Sequence, residues 1–153
     1  MSKFSRALYN KHDTPIKNLT QQFFKQFGYE IIDDGEHYGD YDFKIRDNAK
    51  IVYSVEVEQK TGWKTYTFPF RTMDVAGRKS KSKADWFIQV NNTQNSLNIC
   101  PISLVHSSKQ SRKDTMYSQQ ELFYNVELSK VDNYVYNENE KKWKCLTTPQ
   151  YLL

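Results

Sequence analysis

The chain has little of what the commonest cofactor and phosphate sites are made from. Its only two cysteines, Cys100 and Cys145, form no CxxC pair, and His12, His37 and His106 are each isolated, so no zinc-ligand spacing exists. The cysteines are expected as free thiols in a reducing compartment. None of the five glycines opens a Gly-Lys-Ser/Thr sequence, which removes the phosphate-binding loop and with it nucleotide hydrolysis. No stretch approaches the roughly 18 apolar residues of a membrane span, and residues 1–10 lack the apolar run of a secretory signal. A cytoplasmic protein with no membrane partner is the expectation. Alanine is scarce while Asn, Gln, Lys and Tyr abound, a bias that fits an AT-rich genome such as a phage or mobile element.

At 153 residues the chain is expected to form one domain around a single core, with three Trp, eleven Tyr and nine Phe to furnish it. Residues 14–27 carry apolar side chains at 16, 19, 23, 24 and 27, a helical stripe, with Pro15 suited to the first helical position and Gly28 to the position after the end. Residues 29–33 read as a strand, residues 39–46 as a short alternating strand, and residues 51–60 as a longer one. An irregular basic stretch follows, then Ala84–Val90 as a buried strand, a turn over 91–98, and Ile99–Val105 as a strand that Pro101 assigns to an edge. Residues 121–128, 131–136 and 142–146 read as further strands, with a turn at 137–140, so a β-rich C-terminal extension runs from about residue 108 to 153.

The chemistry concentrates on the strand Ile51-Val-Tyr-Ser-Val-Glu-Val-Glu-Gln-Lys60. Strand side chains alternate, so Val52, Ser54, Glu56, Glu58 and Lys60 share one side and Ile51, Tyr53, Val55 and Val57 the other. Two carboxylates and an ammonium at same-face positions about 7 Å apart suit a hard divalent cation beside a phosphate. Asp42, on the preceding strand, supplies a third carboxylate, and the hairpin register decides whether the acids meet. A two-residue turn would set Asp42 opposite Tyr53 or Val55. A three-residue loop, Asn48-Ala49-Lys50, sets Asp42 opposite Glu56 and Asp40 opposite Glu58, an arrangement whose repulsion a bound cation would offset. Asp40 is also read as a plain turn residue.

Asp42 followed by Glu58-Gln-Lys60 resembles the PD-(D/E)XK phosphodiesterase superfamily, which includes restriction endonucleases, Holliday-junction resolvases and phage exonucleases; the resemblance covers residues 14 to 107. A second register, Glu56-Val57-Glu58, fits the family's apolar middle residue better and replaces its customary Lys by Glu, with Lys60 one same-face step beyond. The two registers remain open. Tyr41 stands where the family has proline, and residues 14–27 lack the acid that the family carries on its first helix. The resemblance implies an α/β fold: a restriction-endonuclease-like mixed central sheet with an N-terminal helix and the β-rich C-terminal extension. It implies a metal-dependent nuclease hydrolysing phosphodiester bonds, with DNA as the expected partner in repair, recombination or defence. Asp42 and Glu56 would hold Mg²⁺ or Mn²⁺, Glu58 would complete the shell or orient the nucleophile, and Lys60 would position water or stabilise charge on phosphorus. Many relatives act as dimers, so a homodimer belongs to the same expectation.

The net charge of +4 matters less than its distribution. Arg71, Arg78, Lys79, Lys81 and Lys83 lie between the acids and the next strand, placed to clamp a nucleic-acid backbone, and Lys109, Arg112 and Lys113 follow the strand after that. Charge runs are more often solvated loops. Trp63, Lys64 and Tyr66 are candidates for stacking on bases, although such aromatics more often belong to the core or its rim. Two other classes stay open: a non-catalytic nucleic-acid-binding relative of the same fold, and a protein-interaction module whose acids are surface groups.

Overall fold

The structure, a computed structural model, describes residues 6–33, 41–116 and 119–152; of residues 6–14, Ser80 and Lys81 it describes the backbone alone. Asp40 therefore lies outside the described residues. In chain order the elements are α1 (Arg6–Gln26), β1 (Glu30–Asp33), β2 (Phe43–Arg46), β3 (Val52–Lys60), β4 (Thr72–Ala76), a 3-10 turn (Gly77–Lys81), β5 (Trp86–Asn91) and β6 (Ser96–Pro101). They continue with α2 (Ile102–Ser107), β7 (Lys109–Lys113), β8 (Glu121–Glu127), a second 3-10 turn (Leu128–Lys130), β9 (Asp132–Asn137) and β10 (Lys142–Cys145).

The α1 stripe forms as the spacing predicts, with Ile16, Phe23 and Phe24 buried. Its start does not. The helix begins at Arg6 and Pro15 lies inside it, so Pro15 leaves one carbonyl of the preceding turn without its donor instead of opening the helix. The end is closed by Gly28 at φ +86°: Tyr29 N–H donates to Phe24 O at 3.2 Å and Gly28 N–H to Lys25 O at 3.1 Å, the paired bonds of a Schellman cap.

Seven strands form one mixed sheet in the order β1-β2-β3-β5-β6-β9-β10, and β4-β8-β7 form a separate three-stranded sheet. Within the large sheet only β3 and β5 run parallel, and every other neighbouring pair is antiparallel. Alternation then sends the chain's apolar residues to two cores. One face carries Phe43, Ile45, Val55, Ile88, Val90, Leu97, Ile99 and Tyr134, packed against Phe23 and Phe24 of α1. The other carries Phe87 and Cys100, packed against Met73, Val75, Tyr124 and Val126 of the small sheet and Ile102 and Val105 of α2. Each such fully buried side chain contributes about 1.5–3 kcal/mol. Burial also pushes the Cys100 thiol up to about 12.

Three sequence expectations are corrected here. The strand expected at Ile99–Val105 ends at Pro101, and Ile102–Ser107 is helical with Pro101 as its N-cap. That strand starts earlier, at Ser96, inside the segment expected as a turn, and lies between β5 and β9, so Pro101 marks a strand end and not a sheet edge. The basic stretch expected to be irregular contains β4, whose Met73 and Val75 alternate inward. The C-terminal strands do extend the large sheet, through β9 and β10, while β7 and β8 build the second sheet.

Candidate functional site

The site begins with the β2–β3 hairpin. Lys50 at φ +69° and the Asp47 N–H bond to Ile51 O, 3.0 Å, close a three-residue loop over Asn48, Ala49 and Lys50. The register is Phe43↔Val55, Lys44↔Ser54, Ile45↔Tyr53 and Arg46↔Val52, the one that carries Asp42 toward Glu56. The ladder changes at that point. β3 has nine residues and β2 four, so β3 outruns its partner and its next backbone groups lack a strand to meet. Asp42 fills the gap: its N–H donates to Val55 O at 2.8 Å, and its Oδ2 accepts the Val57 N–H at 2.7 Å. The Asp42 carboxylate is thereby fixed against the backbone of β3 on either side of Glu56.

Glu56 and Glu58 project to the face opposite α1, as alternation predicts, because Val55 and Val57 pack into the α1 core. The parallel register sets Glu56 beside Phe87, Glu58 beside Gln89 and Lys60 beside Asn91. Glu56 forms an ion pair with Lys79 of the first 3-10 turn, the two side chains being 13% and 20% exposed. Glu58 Oε1 accepts from Gln89 Nε2 at 2.9 Å, and the same nitrogen donates to Asp74 O of β4 at 3.2 Å. Lys60 turns elsewhere, with its ammonium over the Phe70 ring at 5.1 Å from the centroid.

Gln89 is a residue that the sequence reading passed over. It is fully buried, and its Oε1 has no hydrogen-bond partner. Its cross-strand neighbour Asn98, also buried, has an unpartnered Nδ2, so one spare acceptor stands beside one spare donor between the sheets. The signal was available: Gln89 is the one polar residue within the run Trp86-Phe-Ile-Gln-Val90, and a buried polar side chain needs a partner.

The basic residues divide. Lys79 faces Glu56; Arg71, Arg78 and Lys83 are exposed; the Lys81 side chain lies outside the described residues. Trp63 is corrected from a stacking candidate to a core residue, fully buried with Nε1–H donating to Thr67 O at 3.1 Å and its ring against Phe68 at 4.8 Å. Lys64 and Tyr66 are exposed, and the Tyr66 hydroxyl donates to Tyr136 O at 2.8 Å. The Asp85 carboxylate, at the start of β5, accepts from the Ser54 N–H at 2.9 Å and joins the starts of the two parallel strands.

Among the described residues, no three His, Cys, Asp or Glu side chains stand together in a way that could hold a metal ion. The oxygens in this region do match a hard divalent cation in kind: the carboxylates of Asp42, Glu56 and Glu58, with the unpaired Gln89 Oε1 beside Glu58. No family model, curated protein or solved structure matches the chain. Among the described residues, no helix is long and apolar enough to cross a membrane.

Proposed function

We propose that the protein is a divalent-metal-dependent nuclease acting on DNA, with the PD-(D/E)XK superfamily as its nearest chemical relatives. The observation that carries the reading is the Asp42–Val57 contact, which fixes an acid from one strand against the next strand where Glu56 and Glu58 leave it on a common face. The element order also supports it: a helix, three antiparallel strands, a basic connection, and a parallel return beside the third strand.

Asp42, Glu56 and Glu58 would hold Mg²⁺ or Mn²⁺, with Gln89 Oε1 as a neutral donor alongside. The chemistry supplied by such an ion when bound is polarisation of a phosphate oxygen and activation of water. The chain's own groups do the rest. The Val57 N–H holds the Asp42 carboxylate in place, Gln89 holds Glu58, and the exposed Arg78 and Lys83, with Arg71, offer cations to the phosphate backbone. A homodimer is part of the same proposal.

A second reading, a DNA-binding protein of the same architecture without catalysis, is favoured by one observation: Glu56 already has a cation partner in Lys79. Incubation with plasmid, single-stranded and branched DNA, with Mg²⁺, with Mn²⁺ and with chelator, decides between them. Cleavage that requires the ion supports the nuclease. Salt-dependent binding without cleavage supports the second reading, and neither binding nor cleavage overturns both.

A further inference from the structure

The ammonium that meets the β3 carboxylates comes from Lys79 and not from Lys60. Three contacts deliver it. The turn opens at Gly77, where a Cβ would come within 2.9 Å of Leu122 Cβ and 3.0 Å of Leu122 O, so only glycine lets the turn lie this close to β8. The Lys79 carbonyl accepts the Ser82 N–H at 3.0 Å, which closes the turn, and the His106 ring reaches the same oxygen with Nε2 at 3.1 Å. A backbone fixed in this way presents its side chain to Glu56, and both charged groups are largely withdrawn from water. Such a pair holds because each charge compensates the other; an unpaired charge at that depth is costly.

We propose that Lys79 is the resident counter-ion of the carboxylate site. It occupies, beside Glu56, the place a divalent cation takes, so that ion entry and Lys79 release are one exchange. The identity of the incoming ion rests on the function proposed above; the placement of Lys79 does not. Once released, the ammonium stands next to the ion site, where a phosphate oxygen of a polyanionic substrate is its natural partner.

The test titrates Mn²⁺ into native, Lys79→Gln and Lys79→Arg proteins by calorimetry, without DNA. Lys79→Gln should bind Mn²⁺ about tenfold or more tightly than native protein, because a neighbouring ammonium no longer repels the ion. Lys79→Arg should stay near native, and adding Glu56→Gln to Lys79→Gln should abolish the gain. Equal affinity in native and Lys79→Gln proteins overturns the exchange while leaving the ion site standing. Failure of every protein to bind Mn²⁺ overturns the exchange and the metal site together. Because Lys79→Gln leaves Glu56 unpaired and could unfold the protein, a second measurement uses native protein alone. Acetic anhydride labelling mapped by mass spectrometry should rise at Lys79 on Mn²⁺ addition while exposed Lys25 and Lys109 stay constant. Unchanged Lys79 labelling at an Mn²⁺ concentration that saturates the calorimetric signal also overturns the exchange.

Discussion

Asp42 Oδ2 accepts the Val57 N–H at 2.7 Å, so a side chain completes the ladder that β2 leaves unfinished. The same carboxylate adds charge beside Glu56 and Glu58. Two variants separate these contributions. Asp42→Ala loses a hydrogen bond to an ionised acceptor and should lower stability by about 1–2 kcal/mol, measured by urea unfolding. Asp42→Asn retains an acceptor oxygen and should stay within about 1 kcal/mol of native, yet lose the negative charge. Native stability in Asp42→Ala would show that the bond to Val57 holds nothing in place.

At the far edge of the large sheet, Gln26 serves both backbone groups of Trp143: Oε1 accepts its N–H at 2.6 Å and Nε2 donates to its carbonyl at 2.8 Å. β10 is the last strand of that sheet, and an open edge invites pairing with another chain. Gln26→Leu should cost about 1–2 kcal/mol and promote concentration-dependent association in analytical ultracentrifugation.

Trp63 fills the core beneath the loop that follows β3. Trp63→Ala should lower stability by about 3–5 kcal/mol, the range for truncating a buried aromatic residue. A loss under 1 kcal/mol, with weakened binding to single-stranded DNA, would restore the stacking role that its burial denies.

Asp74 gives the acid limb of stability. Burial pushes its carboxyl up, but hydrogen bonds from Asn125, Thr72 and Lys113 together hold it below the ordinary 3.8. Since the folded value lies below the unfolded one, the contribution is present above pH 3.8 and is lost as pH falls through the lowered value. Asp74→Asn should flatten the fall in stability below that pH, followed by chemical denaturation across an acid series. An unchanged acid limb would assign the fall to other groups.

The sequence discloses the central part of this fold because its local rules and tertiary demands agree there. The alternation of β3 holds since each face meets a different environment, and the parity of the 48–50 loop fixes the register that brings Asp42 to Val57. Gly28 ends α1 because only a residue at ease at positive φ suits that cap. Elsewhere the local pattern is silent or misleading. All five residues of β7 are exposed, so it has no apolar alternation and exists through pairing with β8. Ile102-Ser-Leu-Val105 has strand-like composition, yet its helical form buries Ile102 and Val105 against the small sheet. The meeting of Lys79 with Glu56 depends on the path of the chain between β3 and β5, and no spacing of residues encodes that path.

The decisive measurement is single-turnover DNA cleavage in Mg²⁺ by native, Asp42→Asn and Glu56→Gln proteins, with DNA affinity measured in parallel. Native protein should cut, and each variant should lose at least about a hundredfold in rate, the scale on which removal of a transition-state electrostatic contact acts, while binding DNA as native does. Cleavage by Asp42→Asn and Glu56→Gln at the native rate would contradict a catalytic site at these carboxylates.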